Sequence, residues 1–125
     1  MITSNGLKSN QKSLIEAFEQ QVELNGTQVA VLVENGTAYT YHELNKLATG
    51  IARHIAYSIS QLGELDMGDN NTPLVTIIMN RDVGIVASFL AVFMAGAAYI
   101  PVDPTFPPDR QSYIMKQSRS HILVI

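Results

Sequence analysis

The sequence predicts an α/β fold: a β-hairpin followed by a parallel β-α-β-α-β sheet, in three layers with right-handed crossovers. Three observations carry this prediction. Asn35-Gly36 separates two β-rich runs, Val29 to Val33 and Ala38 to Tyr41. Asn-Gly in that position is the strongest short-range hairpin signal, because both central residues of a type I′ turn need positive φ. Leu74 to Met79 is a continuous β-branched run, the pattern of a strand covered on both faces. Val83 to Ala98 then carries no charged residue. A surface helix would show a polar stripe, so this one is covered over most of its circumference.

Taken in order, residues 1–12 are polar and read as a loose lead-in, with residues 13–125 as the folded unit. From Ser13 the pattern is helical, with Leu14, Phe18 and Val22 at i, i+4 and i+8, Ile15 beside them, and Asn25-Gly26 as the stop. After the hairpin, Thr40-Tyr41-His42-Glu43-Leu44 has the spacing of a capping box: the Thr40 side chain caps the Glu43 amide, and the Glu43 carboxylate reaches back to the Thr40 amide. That explains Glu43 without catalysis. Leu44, Leu47, Ala48, Ile51, Ala52 and Ile55 continue the helix as one stripe. His54 lies outside the stripe and has no second ligand at metal-binding spacing, so it reads as an exposed helix residue.

Tyr57 to Pro73 reads as an irregular, acidic surface connection. The Leu74–Met79 strand follows, then a turn at Asn80-Arg81-Asp82 that caps the apolar helix. That helix ends in the small residues Ala95, Gly96, Ala97 and Ala98, which let a backbone lie close to a neighbour. The strand Tyr99–Val102 leaves at once. Pro101 lacks an amide donor, so this strand is short, interrupted or at an edge. Asp103-Pro104 is a turn signal. Pro108 suits the first position of the next helix, along which lie Tyr113, Ile114 and Gln117, and Ser118 to Ser120 end it. His121 to Ile125 is the third parallel strand.

Composition excludes several classes of function. A chain of 125 residues is about one domain, and 46 % hydrophobic residues argue against disorder. The net charge is −3 with no basic block, which argues against nucleic acid or an anionic membrane as partner. Cysteine is absent, which rules out disulfides and thiolate metal sites and suits a cytoplasmic location. Val83 to Val102 is long enough to raise the question of a membrane span. Gly84, Ser88, Gly96 and Pro101 within it favour a buried helix followed by a strand.

Two motifs carry a family resemblance. Ala95, Gly96, Ala98, Tyr99, Pro101 and Asp103, with Ile100 and Val102 as apolar equivalents, resemble the second core motif of adenylate-forming enzymes, in particular the amino-acid adenylation domains of nonribosomal peptide synthetases. Phe93-Met94 stands where Leu-Lys is usual. Pro104, Pro107 and Arg110 match the family's continuation. Thr40, Tyr41, Glu43 and Leu44 resemble the first core motif, with Tyr39 in place of its leading Leu. The resemblance runs from about Leu14 to Ile125, and implies an incomplete N-terminal subdomain of a domain several times longer.

The resemblance implies ATP, magnesium and a phosphopantetheine carrier for the complete enzyme. The chemistry needs groups that hold and neutralise phosphate charge. Neither a Ser/Thr/Gly-rich stretch with Lys nor any motif around Lys116 supplies them here. Both matched motifs are architectural in the family, so the expectation is no catalytic, cofactor-binding or metal residue in this chain. Strand-end residues Asn80 to Asp82 and Asp103 to Thr105 sit where a small-molecule site of an α/β sheet would form. Two functions are expected to compete. One is a fragment of an amino-acid adenylating ligase, inactive alone and needing the rest of the domain. The other is a catalytically dead binding or dimerisation module. For both, Ile122, Leu123, Val124 and Ile125 form an uncharged strand without proline, an edge able to pair with another strand or with a second copy.

Overall fold

The computed structural model describes residues 9–63, 72–80 and 82–125. Its elements are α1 (Ser9–Asn25), β1 (Val29–Leu32), β2 (Ala38–Thr40), α2 (Tyr41–Ser60), β3 (Leu74–Ile78), α3 (Val83–Met94), β4 (Ala98–Val102), α4 (Pro108–Ser118) and β5 (Ile122–Val124). β1 and β2 pair antiparallel, and β4-β3-β5 is an all-parallel sheet. The expected α/β architecture, a hairpin followed by β-α-β-α-β, is what forms.

Three helix boundaries differ from expectation. Helix α1 opens at Ser9, ahead of Ser13, so residues 9–12 belong to it rather than to a lead-in. They are polar, and no apolar periodicity announces them. Its buried face is built on Ile15, Phe18 and Val22, while Leu14 is exposed. Helix α2 runs through Ser60, so Tyr57 to Ser60 are helical rather than loop. Ile59 and Leu62 pack against the core beyond Ile55 and extend the apolar face. The rest of the expected acidic connection lies largely outside the described residues. Helix α3 stops at Met94, for the reason given below.

The hairpin forms by a different turn. Gly36 N–H donates to the Val33 carbonyl, and Val33 N–H to the Thr37 carbonyl, both at 2.8 Å. The loop is therefore Glu34-Asn35-Gly36, and only Gly36 has positive φ, +94°. A three-residue loop closed by a left-handed glycine replaces the expected type I′ turn. Asn35 contributes through its side chain: Oδ1 accepts from the Thr37 amide at 2.9 Å.

The sheet is doubly wound. From β3 the chain crosses to β4 on one side, then returns past β3 to β5 on the other. Two right-handed crossovers in opposite directions put α3 and α4 on opposite faces. On the α3 face, Val75, Ile77 and Ile122 pack with Ala91, Val92 and Phe93 of α3 and Ile55 of α2. A second cluster joins Phe18, Leu44 and Ala48 to Ala87 and Leu90. Helix α3 thus feeds both clusters and none of its residues is exposed, as its lack of charge requires.

Candidate functional site at the carboxyl ends of the parallel strands

In an open α/β sheet, ligands bind beyond the carboxyl ends of the strands. Two corners lie there: Asn80 and Asp82 after β3, and Asp103 to Thr105 after β4. Arg81 lies outside the described residues. Asp82 is the N-cap of α3, its Oδ1 accepting from the Gly84 amide at 2.8 Å. Asp103 Oδ1 accepts from the Thr105 amide at 2.8 Å and from its hydroxyl at 2.7 Å. This closes the corner into α4 as a local side-chain turn. Pro108 sits at the start of α4, as expected. Gln111 Nε2 donates to the Phe106 carbonyl at 2.9 Å, and the Arg110 guanidinium lies 4.3 Å from the Phe106 ring centroid. The Asp103-Pro104-x-x-Pro107-x-x-Arg110 run is a braced bend.

The remaining motif residues take up backbone and packing positions. Gly96 has φ +74°. Its N–H donates to Phe93 O, and Ala97 N–H donates to Val92 O at 3.0 Å. Those paired bonds are a Schellman motif, with glycine in the left-handed position. Nothing lies within 4 Å of where a Gly96 Cβ would be, so the need for glycine is conformational rather than steric. This stop turns the chain out of α3 before the small residues Ala95 to Ala98 can extend the helix. Tyr99 stacks on Phe89 at 4.5 Å and leans on Phe93 at 5.6 Å, seating β4 against α3. Pro101 lies exposed on the edge strand β4, as its missing donor demands.

The first motif is a complete capping box. Glu43 N–H donates to Thr40 Oγ1 at 3.1 Å, and Thr40 N–H donates to Glu43 Oε1 at 2.8 Å. Hydrogen bonds from the Thr40 backbone, and then from its side chain, hold the Glu43 carboxyl below its ordinary value. Tyr41 tilts against Phe18 at 6.2 Å, and Leu44 is buried between α1 and α3.

Sequence reasoning missed a buried hydroxyl pair. Thr76 Oγ1 donates to Ser120 Oγ at 2.7 Å, and Ser120 Oγ lies 3.1 Å from Leu74 O and 3.2 Å from Ile122 O. It ties the centre of the sheet to the start of β5. No local signal could reveal it, since the partners are far apart in sequence and adjacent only once β5 pairs with β3. A pair of grooves was missed as well. One of about 610 Å³ runs along α2 beside Tyr39, Lys46 and Leu47. Another of about 320 Å³ lies between α2 and β5. They share Ile51 and His54. His54 is exposed, as expected of a residue outside the helix's apolar stripe.

Among the described residues, no group of three or more His, Asp or Glu side chains could hold a metal ion. The strand-end carboxylates of Asp82 and Asp103 already bond to neighbouring backbone. This donor set does not fit magnesium triphosphate, so no chemical step is assigned to it. Among the described residues no helix is long and apolar enough to cross a membrane.

Fold and site together define a doubly wound α/β unit whose strand ends are braced corners. The family model described as AMP-binding enzyme matches residues 18–125, and the chain belongs to that family. It is 38% identical over 107 residues to malpibaldin synthetase of Mortierella alpina, covering 86% of this chain and 2% of that protein. To tyrocidine synthase 1 of Brevibacillus parabrevis it is 34% identical over 113 residues, covering 90% of this chain and 10% of that one. A nonribosomal peptide synthetase solved with α-methyl-L-serine-AMP bound superposes with a TM-score of 0.74 at 24% identity, over 88% of this chain and 11% of the other. The chain corresponds to an N-terminal portion of an adenylation domain, and it spans a tenth or less of the length of these curated relatives.

Proposed function

We propose that this chain is the N-terminal part of an amino-acid adenylating domain of nonribosomal peptide synthesis, inactive alone and active only with the remainder of that domain. The supporting observation is that both core motifs fold in the expected order as scaffold: a capping box opening α2, and a Schellman stop leading into β4. The complete enzyme would activate an amino acid with ATP and magnesium, then pass it to a phosphopantetheine carrier. This chain would supply the first parallel strands and their crossovers. The lack of cysteine suits work in the cytoplasm.

ATP–pyrophosphate exchange tests this reading. The isolated chain is expected to show none. Exchange is expected to appear when the chain is mixed with the part of tyrocidine synthase 1 that follows its matched segment. Turnover by the chain alone, or none in the mixture, would overturn the proposal.

A second reading, a catalytically dead binding or homodimerisation module, is favoured by one observation. β5 pairs only with β3 among the described residues, and Leu123 within it and Ile125 just after it are exposed.

A further inference from the structure

Gly50 stands in the middle of α2, a helix of 20 residues. Glycine there weakens a helix relative to alanine, so its presence asks for a packing reason. The fold of one chain supplies none. Gly50 is helical, and nothing lies within 4 Å of where its Cβ would be. It opens instead into the groove of about 610 Å³ along α2. Glu43, Leu47, Gly50 and His54 all line that groove. They fall at i, i+4, i+7 and i+11, one straight stripe along the helix. All four are exposed, Leu47 to 41% although it is apolar. None of the strand-end residues of the candidate site lines the groove.

We propose that this stripe of α2 is a self-complementary surface on which a second copy of the chain docks, the two α2 helices running antiparallel about an axis between Ala48 and Thr49. That axis sets Leu47 of each copy opposite Gly50 of the other, and Glu43 opposite His54. One register meets both conditions, since the Leu47–Gly50 and Glu43–His54 pairs share a midpoint. The exposed leucine then fills the notch that glycine leaves, and the notch lets the two backbones lie close. The Glu43 carboxylate accepts a hydrogen bond from the imidazole it faces. Lys46 falls opposite Ile51 and lays its apolar stem on it. Like charges are kept apart: the two Glu43 residues lie roughly 16 Å from each other along the helix axes. The same patch serves both copies, as a two-fold interface requires.

Sedimentation of the isolated chain is expected to show a concentration-dependent dimer. Gly50→Arg, which fills the notch with a bulky cation, should weaken it at least tenfold. The thermal midpoint of that variant, measured at a dilution where both proteins are monomeric, should be no lower than that of the unaltered chain. A Cβ at this position meets nothing, and arginine is the better helix former. His54→Glu, which sets a second carboxylate against Glu43, should also weaken the dimer at least tenfold. The register is read by cross-linking, because the chain has no cysteine of its own. Leu47→Cys mixed with Gly50→Cys should form the mixed disulfide faster than either variant pairs with itself. The proposal is overturned by a chain that stays monomeric at its highest soluble concentration, by a dimer indifferent to Gly50→Arg and His54→Glu, or by cysteines that prefer self-pairing. A monomer that instead binds the part of tyrocidine synthase 1 following its matched segment, and loses it on Gly50→Arg, would give the groove another occupant and overturn the proposal as well. Pyrophosphate exchange in that mixture bears on the enzymatic reading alone.

Discussion

The two crossover helices of the sheet end alike and are buried very differently. α3 closes with Gly96 N–H on Phe93 O and Ala97 N–H on Val92 O. α4 closes with Arg119 N–H on Lys116 O and Ser120 N–H on Met115 O. Gly96 and Arg119 both take positive φ, +74° and +60°. The backbone solution is the same, although one helix uses glycine and the other arginine. Burial separates them: six residues of α3 are buried and none of α4. Helix termination is thus a local property, whereas the value of the helix to the fold depends on what covers it.

The strongest way to break this contrast is to empty each helix. Phe93→Ala should cost about 3–5 kcal/mol, because Phe93 joins the main core and braces Tyr99. Tyr113→Ala in α4 should stay within about 0.5 kcal/mol, since Tyr113 is exposed. Urea denaturation measures both, and comparable losses would refute the contrast.

The hydroxyl pair at the end of the second crossover comes next. Ser120→Ala should cost about 1–3 kcal/mol, because the buried Thr76 hydroxyl loses its partner. Adding Thr76→Val should restore much of that loss, since removing both partners is nearly neutral. A double mutant as unstable as the sum of the singles would show that the pair is not coupled.

The helix stops sharpen the comparison further. Gly96→Ala should cost about 1–2 kcal/mol, the strain of an L residue in the left-handed region. Arg119→Gly should move stability the other way by about 0.5 kcal/mol, the smaller effect because glycine also gains entropy in the unfolded chain. Equal signs for the two substitutions would show that side-chain contacts, rather than φ, govern the second stop.

The smallest effect lies outside both crossovers. The folded pKa of Glu43 is lowered by its bonds to Thr40. Its contribution is therefore present above the unfolded pKa and lost as pH falls through the folded one. Glu43→Gln should flatten the acid limb of a stability–pH profile slightly. A steeper limb in the variant would contradict the sign.

Much of the scaffold was legible because its signals are local. Thr40 and Glu43 sit at capping-box spacing, Pro108 suits a helix start, and the uncharged α3 run admits only a covered helix. The hairpin was legible as a hairpin but not as a turn type: Asn35-Gly36 fits two loop lengths, and strand register chooses between them. α2 read as too short because Ile59 and Leu62 gain meaning only from the core they reach. The grooves beside α2 were invisible, since they are formed by residues from strands and a helix that share no sequence pattern.

By itself, the sequence determined the order of the elements, their caps and the family motifs, because each depends on side chains within a few positions of one another. Only the tertiary structure decided that Thr76 meets Ser120, that β3 lies between β4 and β5, and that α4 has no fully buried residue. Those outcomes follow from strand order. Strand order brings distant residues together through chain closure and burial, which no local spacing encodes.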